Sequence, residues 1–233
     1  MTLRVRTLAE LVNQDEPALP LVKTWIQDAK CPVELLPCVR EDGDRALLDA
    51  QVTTRSPMGA ICHETGGILV DHGWLRLLGA GCPQLPRALM AWNEGRVPLS
   101  PDGMLEVLLV ADDVIGGFFA VNGGGLPDVE PGHVAYLAPD TLNWESLGMS
   151  YSQFLCWSWS GQMERFYGGQ RWPGWQQEIA TLGGDQTIGI YPFLWAEGPP
   201  IGERHRGIVS IAEAWALALE LRKQFSKVAR PES

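Results

Sequence analysis

EVLLVADDVIGGFFAVNGGG, residues 106–125, carries the clearest strand signal in the chain. Two short apolar runs, Glu106–Val110 and Gly117–Val121, are rich in β-branched and aromatic side chains, which pack well on a pleated surface. Ala111–Gly116 between them reads as a turn. Asn122-Gly123-Gly124-Gly125 ends the second run with residues that tolerate positive φ. Strand side chains alternate, so Phe118 and Ala120 face one side and Phe119 and Val121 the other. Both sets are apolar, and both faces are therefore expected to be buried.

Towards the C-terminus, His133–Leu137 reads as a third strand, turned by Pro139-Asp140. Ser150–Tyr167 reads as an aromatic helix carrying Tyr151, Phe154, Leu155, Trp159 and Phe166. Ile188–Trp195 reads as a further strand after a Gly-rich turn. The last helix opens on a capping box, Ser210 and Glu213, and places Ile211, Ala214, Trp215, Ala218, Leu221 and Phe225 on one face. Arg222, Lys223, Lys227 and Arg230 gather at its C-terminal end, where positive charge suits the helix dipole.

Towards the N-terminus, Leu85–Asn93 reads as a short helix. MGAIC and GILVD flank His63-Glu64-Thr65-Gly66 and read as a hairpin, followed by the extended WLRLLGAG. Thr7 and Glu10 form a capping box, and Pro17 to Ala29 carries Leu21, Val22, Trp25 and Ile26 at helical spacing. VELLPCV is short and apolar enough for a strand, and EDGDRALLDAQV reads as a turn followed by a helix. The order helix, hairpin, helix, meander, helix predicts an α+β fold rather than a βαβ series. Met58 to Trp195 should form a mainly antiparallel sheet with helices on one face. The expected organisation is one domain over 1–233: a helical extension (1–55), an α+β core (56–200) and a C-terminal helix (201–233).

The composition is that of a globular chain, with 45% hydrophobic and 20% charged residues, which excludes a mainly disordered one. The net charge of −10 repels phosphate, so no nucleic-acid partner is expected; a basic partner is attracted instead. No run approaches the roughly 20 apolar residues of a membrane span, so no membrane partner is expected. MTLRVRTLAELVNQDE lacks the apolar core of a secretory signal. Five cysteines at irregular spacing fit reduced thiols better than a disulfide framework. These features together predict a cytoplasmic protein.

No cofactor or metal is expected from the motifs. The Gly-rich stretch has no Lys and opens no helix, so it is not a phosphate loop. Cys62, His63, Asp71, His72 and Cys82 fall close together, but without C-x-x-C, H-x-x-x-H or H-E-x-x-H spacing. No G-x-S-x-G elbow is present, and no catalytic residue is assigned. Asp112 and Asp113 would point to opposite faces of a strand; at a turn they could act together. Trp157 and Trp159 diverge by about 200° on a helix, so both are buried only if two faces are covered.

GGFFAVNGG followed by GHVAYLAPDTLNWESLGMSYSQFLCW resembles, as an ordered set, a bacterial family known as a domain of unknown function, over nearly the whole chain. The order is also similar to the SUKH superfamily of Smi/Knr-like α+β domains. That second resemblance implies an immunity-like protein that binds and neutralises a toxin. Neither resemblance supplies catalytic residues.

The expected function is thus non-enzymatic binding of a protein partner, a basic toxin being the natural one, since complementary charge speeds association. Asp112 and Asp113 are the expected rim charges, with Trp92 and Trp144 as anchors. The alternative is a small-ligand-binding protein or enzyme with a pocket near His63, His72 and Asp112-Asp113.

Overall fold

The computed structural model describes residues 4–228, with side chains from Arg4 to Phe225. Its first elements are α1 (Leu8–Leu11), α2 (Leu19–Gln27), β1 (Val33–Leu36) and α3 (Arg40–Ala50). Glu10 accepts from the Thr7 N–H at 2.8 Å, closing the capping box that opens α1. α4 (Pro57–Glu64) stands where the first strand of a hairpin was expected. Its start is encoded locally: the Ser56 hydroxyl accepts from the Gly59 N–H at 3.1 Å, and Pro57 presets the first turn. The hairpin lies further along, as β2 (Gly67–Val70) and β3 (Leu75–Leu78), with Asp71, His72 and Gly73 at positive φ between them.

α5 (Leu89–Asn93), β4 (Val107–Asp113), β5 (Phe118–Asn122), β6 (His133–Leu137) and β7 (Trp144–Ser150) follow. β1 to β7 form one seven-stranded sheet in chain order, every neighbouring pair antiparallel. The fold class is the α+β one read from the sequence. β1 pairs Val33 with Val70 and Leu36 with Gly67, so the segment 1–55 is not only helical: it supplies an edge of the sheet. β4 does not stop at Val110. It runs through a bulge between Leu109 and Ala111 to Asp113, which makes Asp112 and Asp113 strand residues rather than turn residues.

α6 (Tyr151–Trp159) and α7 (Met163–Phe166) divide the expected aromatic helix, and Gly161 at φ 86° lies between them. α8 (Trp175–Ile179), β8 (Gln186–Tyr191), β9 (His205–Ser210) and α9 (Ile211–Val228) complete the chain. β8 and β9 pair as a separate antiparallel ribbon; the strand expected to reach Trp195 ends at Tyr191. The Lys227 side chain and Arg230 lie outside the described residues.

Phe118 and Phe119 are both fully buried, as the alternation required. The Phe118 ring lies 4.9 Å from Trp215 of α9, and the Phe119 ring 5.0 Å from Phe154 of α6. Helices therefore cover both faces of the sheet, not one, because both faces of β5 are apolar. Asn122 closes the strand by donating to Leu126 and Val129 carbonyls and accepting from Gly124 and Leu126 N–H groups. Gly124 takes φ 120° in that turn.

Candidate functional site

Asp112 and Asp113 point to opposite faces and serve two different buried networks. Asp112 is 1% exposed and lies between two arginines. Arg76 donates from Nε at 2.7 Å, with its Nη2 at 2.5 Å, and Arg87 donates from Nη1 to the other oxygen. Both arginine side chains are 4% exposed. Arg87 Nη2 is buried without a partner among the described residues. Asp113 accepts on one oxygen from the hydroxyls of Tyr136 (2.7 Å) and Tyr167 (2.9 Å). Its other oxygen accepts from the Ile115 and Gly117 N–H groups. Burial pushes the Asp113 carboxyl above the usual carboxylate range, against the pull of these donors. The same burial, with Asp113 alongside, raises both tyrosines well above theirs.

These networks fasten the β8–β9 ribbon to the end of β4. Arg76 donates to the Gln186 carbonyl, and Arg87 to the Gly184 carbonyl at 2.9 Å. The Ile188 N–H bonds Val114 O at 2.8 Å, and the Ile211 N–H bonds Asp185 O at 2.9 Å. An apolar groove of about 390 Å³ is lined by the ribbon, α9 and the Ile115–Gly116 turn. Ile115, Ile188, Ile190, Leu217 and Leu221 are among its walls. An aromatic ladder starts in its lining and continues onto Phe225 of α9: Tyr191 on Phe193 (6.0 Å), Phe193 on Trp195 (5.3 Å), Trp195 on Phe225 (5.1 Å). Tyr191, Leu217 and Phe225 are 65%, 44% and 45% exposed, an unusual share for large apolar side chains gathered in one place. Thr187, His205 and Glu213 supply polar groups to the lining.

The residues singled out in the sequence do not converge. Asp112 and Asp113 are too deeply buried to act as rim charges. Trp92 is also buried, under the guanidiniums of Arg96 (4.2 Å) and Arg87 (4.9 Å), and is not an exposed anchor. Trp144 is half-buried, 6.5 Å from Trp215. His63 is buried in α4 between Asp44 (2.8 Å) and Glu64 (2.9 Å). His72 sits on the β2–β3 turn with its ring 6.0 Å from Trp175. Among the described residues, no histidine bonds a hydroxyl or thiol, and no three His, Cys, Asp or Glu side chains gather as metal ligands. No helix among them is long and apolar enough to cross a membrane. The groove itself was missed. Its signal was present in Tyr191, Phe193 and Trp195, and in a face of α9 that Leu217 makes wider than one buried stripe needs.

The sequence matches the family described as protein of unknown function DUF2625 over residues 8–214. The chain belongs to this family. It is 39% identical over 224 residues to a putative uncharacterized protein, YbfG, of Escherichia coli (strain K12), an alignment that covers 96% of this chain and 100% of that protein. An uncharacterized protein of Haemophilus influenzae (strain ATCC 51907 / DSM 11121 / KW20 / Rd) is 40% identical over 190 residues, 82% of this chain and 83% of its own. The match to the YbfG protein extends through nearly all the elements that build the groove.

Proposed function

We propose that this protein is a non-enzymatic, cytoplasmic binding protein that receives an apolar segment of a partner protein in the groove between the β8–β9 ribbon and α9. One observation carries the reading: large apolar side chains stand exposed beside a groove whose ribbon wall is tied to the sheet at its start by a buried ionic network. Such pre-organisation lowers the cost of binding, and aromatic residues are favoured interface anchors. Phe193, Trp195 and Phe225 take the anchoring role expected of Trp92. Trp144 stays a peripheral candidate. The net charge of −10 favours a basic partner and faster encounter with it. A toxin bound by an immunity-like protein is the partner class that the SUKH resemblance implies.

The test compares the wild-type chain with Leu217→Glu and Phe225→Glu. Both side chains are nearly half exposed, so both variants should melt close to the wild type. A partner captured from the native host by the wild type should be lost by the variants. When purified and titrated, it should bind them at least about tenfold more weakly. Its association with the wild type should slow with salt, as screening shortens the field to about 8 Å at physiological strength. Equal affinity for wild type and variants would remove the groove from the reading.

A further inference from the structure

A second cavity, of about 710 Å³, shares no lining residue with the groove. It lies between the 167–176 loop, the Lys30–Pro32 segment and Asp71. At its wall stands Arg171, held in a cage of aromatic rings. Its guanidinium carbon is 4.6 Å from the Trp175 ring centre, 4.8 Å from that of Trp74 and 5.9 Å from that of Tyr167. All three rings are buried. One Nη2 hydrogen bond to Asp71, at 2.6 Å, fixes the plane. No other hydrogen bond of Arg171 is made among the described residues, and its Nε is buried without a partner.

A structural role for Arg171 needs the Asp71 ion pair and the stacking, both of which are made. It leaves the buried Nε without a hydrogen bond in a side chain only 17% exposed, which is costly. Among the described residues Nη1 is neither buried nor bonded, so the Nη1–Nη2 end of the guanidinium is the part left open, and that end can meet an oxyanion in two parallel bonds. Lys30 lies at the rim, exposed, and can add a second positive charge. Asp71 and Glu164 also line the cavity, so it carries no surplus of positive charge to meet a phosphate dianion. Cys31, Met163, Trp172, Trp175 and Gln176 are also among the lining residues, so the wall is mixed and can meet both the apolar body and the polar end of an acid.

We infer that this cleft binds a carboxylate, gripped by the open edge of the caged Arg171 guanidinium. The carboxylate could belong to a free small acid or to the C-terminus of a peptide; the cavity admits either.

The test titrates the full chain with four probes: benzoate, a short peptide with a free C-terminus, the same peptide as its C-terminal amide, and inorganic phosphate. Binding is read by calorimetry, by the fluorescence of the tryptophans around Arg171, and by the Arg171 Nε–Hε resonance in ¹⁵N spectra. A carboxylate probe should bind with a shift of that resonance, and the amide should not bind. Benzoate binding alone identifies a small acid; preference for the free peptide identifies a C-terminus. Arg171→Lys keeps the charge but loses the fork, and should weaken binding by at least about tenfold. Lys30→Ala, at an exposed position, should weaken it about two- to fivefold with the fold intact, and this remains decisive if Arg171→Lys fails to fold. Equal binding of acid and amide would overturn the inference. So would binding of phosphate in place of the carboxylates, an affinity unmoved in Lys30→Ala with no shift of the Arg171 resonance, or no response to any carboxylate at about 10 mM.

Discussion

Asp112→Asn is the sharpest test of how the fold is held. Asp112 is the anion common to Arg76 and Arg87, and all three side chains are 4% exposed or less. Replacing its charge with an amide strips two buried guanidiniums of the counter-ion they share. The amide nitrogen would also face one of them donor to donor. Removing one partner of a buried ion pair typically costs about 3–5 kcal/mol. For a chain of this size, 1 kcal/mol moves the melting temperature by about 2–4 °C, so the expected fall is roughly 6–20 °C. Circular dichroism melting and urea titration should agree on the loss. Asp128→Asn, at an exposed position, is the control and should stay within about 0.5 kcal/mol. In an Arg87→Met background the same substitution should cost less, by about 0.5–3 kcal/mol of coupling, because one of the two stranded cations is gone. A variant melting within about 2 °C of the wild type would refute the reasoning and return Asp112 to a dispensable, exposed role.

Tyr136→Phe removes one donor from Asp113 and should cost about 1–2 kcal/mol in urea unfolding. Gly117→Ala would drive a methyl into the Tyr136 hydroxyl and an Asp113 oxygen; about 1–3 kcal/mol of loss is expected. The Asp44 carboxyl is held below its usual range: partial burial works against this, but hydrogen bonds from His63 and Arg40 win. Its contribution to stability is therefore full above the ordinary Asp value of about 3.9 and lost as pH falls through the lower folded value. Asp44→Asn should flatten that acid limb of a stability–pH curve. Burial pushes the Cys62 thiol up to about 12, so Cys62 should resist a disulfide-exchange reagent at pH 8 in the folded protein and react once it is unfolded, as thiol counting by mass spectrometry can check.

The meander and its two-sided burial were legible in the amino-acid pattern alone. Period-two alternation in 117–121 is a local property, and with apolar residues in both phases no other strand arrangement buries Phe118 and Phe119 together. The capping box at Thr7 was legible for the same reason: it spans a single helical turn. At Ser210 only half of the expected box forms: Glu213 accepts from the Ser210 N–H, while the Ser210 hydroxyl accepts from Ala212 rather than Glu213. The helix at 57–64 was equally local, in Ser56 and Pro57, but the apolar run after them also fits a strand, and short apolar runs do not distinguish the two. What Asp112 and Asp113 do depends on contacts between distant segments. Their partners are 36, 25, 23 and 54 residues away, in Arg76, Arg87, Tyr136 and Tyr167. No spacing rule links residues at such separations, because they meet only after β3, β4 and β6 have aligned. The groove and the Arg171 cage arise in the same way. Each is built where a later segment docks on the finished sheet, and the docking is set by buried charges whose neighbours the chain order does not reveal.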